Sequence, residues 1–143
     1  MVFIVAEIGV NWDGSFELAE VLIKNAKKVG FDAVKFQAFD ENIVKDHPES
    51  KRLMQSSISQ SNVNKINKIS REIDMEWFCT PMCADAVNFL EPFVNRYKIR
   101  ELDGQPLLKN DSTSLIEKVL ETGKDVFVSS NRSPKHSKLY TNK

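Results

Sequence analysis

The chain has 143 residues, 20 Lys+Arg against 20 Asp+Glu, 41% hydrophobic and 28% charged residues, the composition of one soluble globular domain. Zero formal charge argues against a nucleic-acid or membrane-surface partner, both of which usually demand a basic excess. Apolar stretches of a few residues exclude a transmembrane span, and Met1 runs into Val2-Phe3-Ile4-Val5 without a signal-peptide layout, so a cytoplasmic protein is expected.

Residues 2–8 are apolar and β-branched and end at Gly9, which reads as a buried strand. Asn11-Trp12-Asp13-Gly14-Ser15 is a turn, with Ser15 placed to cap a helix. Leu18, Val21, Leu22, Ala26 and Val29 recur at helical spacing until Gly30. Residues 32–37 form a second strand, and 38–58 read as a long polar connection. Val63, Ile66, Ile69 and Ile73 mark a second helix, 76–80 a third strand ended by Pro81, and Ala86, Val87 and Leu90 a third helix. Residues 96–99 form a fourth strand, followed by a polar loop. A fourth helix around Leu115–Leu120 has Ser114 and Glu117 as a capping box and Gly123 as its stop. Residues 125–129 form a fifth strand. The order β-α-β-α-β-α-β-α-β implies a parallel sheet with crossover helices. The expected fold class is α/β, with parallel (βα) units over 1–130, about five strands and four helices, and a polar tail over 131–143.

Cys79 and Cys83 are spaced C-x₃-C with no companion cluster, so two reduced cysteines without metal are expected. His47 and His136 lie in polar stretches and read as surface residues. The strand ends are more informative. Glu7, Lys35 with Gln37, Thr80, Lys98 and Ser129 fall near the carboxyl ends of five successive strands. Parallel α/β folds bind ligands at that end. Alternation along the strand puts Lys35 and Gln37 on one face and Val34 and Phe36 on the other. Two lysines with amide and hydroxyl donors suit a small polyanion such as a phosphorylated carboxylate. Glu7 could partner a lysine or hold a substrate hydroxyl.

These residues carry a family resemblance. Ala6-Glu7-Ile8-Gly9-Val10-Asn11-Trp12-Asp13-Gly14-Ser15 is similar to the A-E-I-G-x-N-H-x-G-S opening of N-acetylneuraminate (sialic acid) synthases, and Gly30-Phe31-Asp32-Ala33-Val34-Lys35-Phe36-Gln37 to their G-A-D-A-V-K-F-Q. Phe78-Cys79-Thr80-Pro81, Val87-Asn88-Phe89-Leu90, Tyr97-Lys98-Ile99 and Thr122-Gly123-Lys124 resemble further segments, over roughly residues 3–130. The resemblance implies condensation of phosphoenolpyruvate with N-acetylmannosamine or a related amino sugar to a nine-carbon 2-keto acid. It implies phosphoenolpyruvate-binding roles for Lys35, Gln37, Thr80, Lys98 and Ser129, catalytic roles for Glu7 and Asp103, and sugar contact by Asn11 and Trp12. It also implies a divalent metal, Mn or Mg, whose ligands come later in the family sequence.

The chain departs from the pattern at Trp12, where the family has His and where a packing role is the alternative. It departs again at Arg100-Glu101-Leu102-Asp103, where the family has G/A-S-G-E, and at Ser129-Ser130-Asn131 for S-T-G. Arg100 serves either a phosphate or a salt bridge with Glu101 or Asp103. The resemblance also implies that the (βα) units over 1–130 belong to a TIM-type barrel; a complete one takes about 250 residues, so an incomplete barrel is expected, inactive alone and with open edges suited to a homo-oligomer or a completing partner chain. The alternative is a non-catalytic anion- or sugar-binding half-barrel subunit.

Overall fold

The computed structural model describes residues 2–131; the tail expected beyond 131, with His136, lies almost wholly outside them. The elements in order are β1 (Val5–Glu7), α1 (Phe16–Lys28), β2 (Ala33–Ala38), α2 (Glu41–Val44), α3 (Ser50–Gln55), α4 (Val63–Glu72), β3 (Glu76–Pro81), α5 (Ala84–Leu90), β4 (Arg96–Ile99), α6 (Glu101–Leu108), α7 (Ser114–Glu121) and β5 (Asp125–Val128). The strands form one parallel sheet in the order β1-β2-β3-β4-β5, a curled half-barrel. Phe3, just before β1, stacks on Phe127 of β5 at 6.1 Å between ring centroids. Contact between the segment leading into the first strand and the last strand requires the sheet to curl around a common interior, as barrel strands do.

The described residues form seven helices where the sequence pattern predicted four, a correction with a physical cause. The expected connection 38–58 contains α2 and α3, of four and six residues, too short to display a 3.6-residue period. The expected polar loop after β4 is α6, which carries Gly104 and Pro106, residues that ordinarily argue against a helix. Gly104 is there for space: a Cβ on it would lie 2.9 Å from Val128 Cγ1, so the glycine lets α6 approach β5. The α7 cap shifts by one residue. Thr113, not Ser114, is the N-cap, and its Oγ1 accepts from Ile116 N at 3.3 Å. Ser15 caps α1 as expected, accepting from Leu18 N at 3.2 Å. Gly30 and Gly123 follow the ends of α1 and α7 at φ +89° and +65°, the left-handed region that glycine enters without a Cβ penalty.

The sheet has two unlike faces. Val34, Phe36, Trp77, Cys79, Tyr97 and Ile99 point outward under the helices and are all buried, against Ile23, Ile66, Val87, Leu90, Ile116 and Val119. Complete burial of side chains of this size contributes about 1.5–3 kcal/mol each. This is the main core, and it fixes the register. A one-residue slip would turn Phe36 and Trp77 into the interior and Lys35 out under the helices. Among the described residues no helix is long and apolar enough to cross a membrane.

Candidate anion site at the strand ends

The inner face follows from the register. Glu7 pairs with Lys35, which pairs with Phe78; Gln37 pairs with Thr80; Lys98 pairs with Phe127. Residues paired across parallel strands share a face, so Glu7, Lys35, Gln37, Thr80 and Lys98 all point inward. Lys35 is the centre. It is 8% exposed, its Nζ lies 2.5 Å from Glu7 Oε2, and it donates to Thr80 Oγ1 at 3.1 Å. Lys98 donates to Ser129 Oγ and to Ile99 O at 3.1 Å. Burial, and next the charge of Lys35, hold the Lys98 ammonium below the ordinary lysine value, while Glu7 pulls the other way. Gln37 is half-buried; its Oε1 would lie 3.6 Å from a Cβ at Gly9, and Glu7 Oε1 would lie 3.0 Å from it. Gly9 sits at φ +52°, and Ile8 N and Gly9 N both donate to Lys35 O at 3.0 Å. That pair of bonds turns the chain beside Lys35, just past the end of β1, and the missing Cβ of Gly9 leaves room for the Glu7 carboxylate.

The remaining expected site residues separate from this group. Trp12 is 1% exposed. Its ring packs against Phe16 at 5.7 Å and Phe36 at 6.0 Å, and its indole N–H donates to Ser56 O at 2.8 Å. The expected sugar contact has no exposed ring face here, because the indole is enclosed on the helix side. The packing alternative describes its position. Asn11 is exposed in the β1–α1 turn, with its N–H on Ile8 O at 2.9 Å. Asp103 lies in the first turn of α6 and pairs with Arg100, whose Nη2 is 3.1 Å from Asp103 Oδ1. Of the contacts expected for Arg100, the salt bridge to Asp103 forms. His47 is exposed, and its Nδ1 accepts from Glu49 N at 3.1 Å. Cys79 and Cys83 are free thiols, and burial pushes the Cys79 thiol far above its usual range.

Two features had escaped the sequence. Below the lysines, Arg96 pairs with Glu76 (Nε–Oε1 2.6 Å) and lies 3.7 Å from Asp125. Its guanidinium sits 4.4 Å over the Phe3 ring and 5.8 Å from Phe127, and Phe127 packs on Phe78 at 5.7 Å. This layer forms a floor. Its signal was readable, since Arg96 is two residues before Lys98 and so shares its face. The second feature is α3. Arg52 Nε holds Asp13 Oδ1 at 2.8 Å and Gln55 Nε2 donates to Asp13 O at 2.9 Å, strapping the turn that follows Glu7. Nothing in the local pattern announces that contact across 39 residues.

A cleft of about 480 Å³ lined by Arg71, Asp74, Glu76, Trp77 and Phe93 opens between α4 and α5. It lies at the amino ends of the strands, away from both lysines, and parallel α/β folds place their chemistry at the other end. Among the described residues no three His, Cys, Asp or Glu side chains converge on a metal position. Glu7, the carboxylate nearest the lysines, is engaged by Lys35.

The NeuB family profile matches residues 22–136. An uncharacterized protein of Methanocaldococcus jannaschii is 32% identical over 136 residues, which is 92% of this chain and 38% of that protein. The N,N'-diacetyllegionaminic acid synthase of Legionella pneumophila is 28% identical over 140 residues, 85% of this chain and 39% of the relative. The crystal structure of an N-acetylneuraminic acid (sialic acid) synthetase from Leptospira borgpetersenii, in complex with citrate, superposes with a TM-score of 0.78 at 27% identity, covering 94% of this chain and 46% of that one. The chain thus spans less than half the length of these relatives. With four-fifths of its residues inside the family profile and its sheet matching a solved synthetase, the chain belongs to the NeuB family.

Proposed function

We propose that residues 1–130 form the phosphoenolpyruvate-holding part of a sialic-acid-synthase-like enzyme, a transferase of cytoplasmic carbohydrate biosynthesis. The reaction is condensation of phosphoenolpyruvate with N-acetylmannosamine or a related amino sugar to a nine-carbon 2-keto acid. One observation carries the reading: Lys35 and Lys98 share the inner face at the strand ends, each hydrogen-bonded to a hydroxyl, Thr80 or Ser129, with the single carboxylate of Glu7 beside Lys35. Two ammonium groups, two hydroxyls and the Gln37 amide match a ligand with phosphate and carboxylate groups.

In this reading Lys35 and Lys98 neutralise the ligand, Thr80 and Ser129 orient it, and Gln37 lines the pocket. Glu7 faces the sugar, with Asn11 at the rim. The ligand's charge would be held in a site whose floor is already filled by Phe78, Phe127 and Arg96, so it would enter from the strand ends. The described residues bring no three metal-ligating side chains together; a divalent metal would need ligands from outside them. Further (βα) units are likewise required, from the same polypeptide, a second copy or a partner chain.

The 143-residue chain should therefore bind phosphoenolpyruvate weakly without turning it over. Titration calorimetry on wild type and a Lys35→Ala, Lys98→Ala double variant checks the site: loss of binding in the variant is expected, and equal affinity would refute the reading.

A further inference from the structure

The Lys35 ammonium already holds an anion. Its partners are the Glu7 carboxylate at 2.5 Å and the Thr80 hydroxyl at 3.1 Å. The two halves of the ion pair differ in exposure. The Lys35 side chain is 10% exposed and the Glu7 side chain 53%. The lysine is thus committed to the interior, whereas the carboxylate reaches it from the solvent side. Gly9 provides the niche, since a Cβ there would lie 3.0 Å from Glu7 Oε1. A buried cation left alone bears a desolvation penalty, so Lys35 keeps Glu7 until another anion replaces it. The displaced carboxylate returns to water at small cost, being half exposed already.

We propose that Glu7 is a tethered counterion that every anionic ligand must displace from Lys35, so that it sets an affinity threshold for the pocket. Tethering gives Glu7 a high effective concentration at Lys35. Small anions of low intrinsic affinity therefore fail to fill the site, while a ligand that reaches both Lys35 and Lys98 clears the threshold. This deepens the anion-pocket reading and rests on it.

The test is calorimetric titration of the whole chain with inorganic phosphate and, separately, phosphoenolpyruvate. It compares wild type with Glu7→Gln, which removes the charge, and Glu7→Asp, which keeps the charge but withdraws it from Lys35 by one methylene. Displacement predicts that both variants tighten both ligands by a common factor, about tenfold for Glu7→Gln and less for Glu7→Asp, because a charge-assisted hydrogen bond no longer competes. Tightening in Glu7→Gln alone would mean that only the net field matters, and it overturns the proposal. So does the absence of tightening in both, whether or not wild type binds. Because Glu7→Gln leaves Lys35 without its carboxylate, the phosphate-induced rise in Tm is read alongside; a larger rise in Glu7→Gln than in wild type is expected, and an equal or smaller one counts against displacement. If the Lys35→Ala, Lys98→Ala variant loses binding while the Glu7 variants do not tighten, this proposal alone fails. If that variant binds as wild type does, the pocket itself has failed.

Discussion

The inner face of the half-barrel carries two charged layers, one above the other, and their partners separate them. In the upper layer Lys35 pairs with the half-exposed carboxylate of Glu7 and donates to the Thr80 hydroxyl, while Lys98 donates to two neutral oxygens, Ser129 Oγ and Ile99 O. In the lower layer a single cation, Arg96, faces two carboxylates, Glu76 and Asp125, and lies over the Phe3 ring. The upper layer is short of negative charge and the lower has more than enough. The same strands thus build an anion-receptive mouth and a self-satisfied floor, and what differs is the count of carboxylates within reach of each cation.

That contrast can be broken most severely from below. Arg96→Met should cost roughly 2–3 kcal/mol of stability, because it strands Glu76 and empties the aromatic sandwich; anion affinity should barely change. Urea unfolding with a parallel phosphate titration separates the two effects, and a large affinity loss would merge the layers again.

The next effect is pH-dependent. Lys98 has its proton affinity lowered from the ordinary 10.5 by burial and by Lys35. Its charged form is disfavoured in the fold, so the unfolded chain holds that proton to higher pH, and stability should rise with pH through the interval below 10.5. Anion affinity should move the opposite way, falling as Lys98 neutralises. Calorimetry across alkaline pH on wild type and Lys98→Met checks this: the part of the decline lying below 10.5 should disappear in the variant.

The smallest effect concerns the strap. Arg52→Ala removes an exposed ion pair with Asp13, which contributes little to global stability, and should speed amide exchange in residues 10–14 while leaving β2 and β3 unchanged. Faster exchange throughout the sheet would mean that α3 supports more than the turn.

Legibility followed the same division. The five strands and the inward set Glu7, Lys35, Gln37, Thr80, Lys98 and Ser129 were readable, because a strand alternates every two residues and the helices between strands repeat Leu, Ile and Val at a 3.6-residue period. The floor was half readable: Arg96 shares the face of Lys98 by parity, but its meeting with Phe3 depends on curl, which no local pattern encodes. Trp12 was ambiguous until its neighbours were known, since an indole stacks on a sugar as readily as on Phe36; Ser56 O and the two rings decide its position. The short helices α2 and α3 were hidden because four and six residues are too few to show a period, and α6 because tertiary contacts override the weak propensity that Gly104 and Pro106 give it.

The most direct measurement of the central claim is side-chain NMR of the lysine ammonium and arginine guanidinium groups during a phosphoenolpyruvate titration. Saturable shifts at Lys35 and Lys98, with Arg96 unmoved, are the predicted result. Shifts at Arg96, or lysines that stay in place while the ligand binds elsewhere, would contradict it.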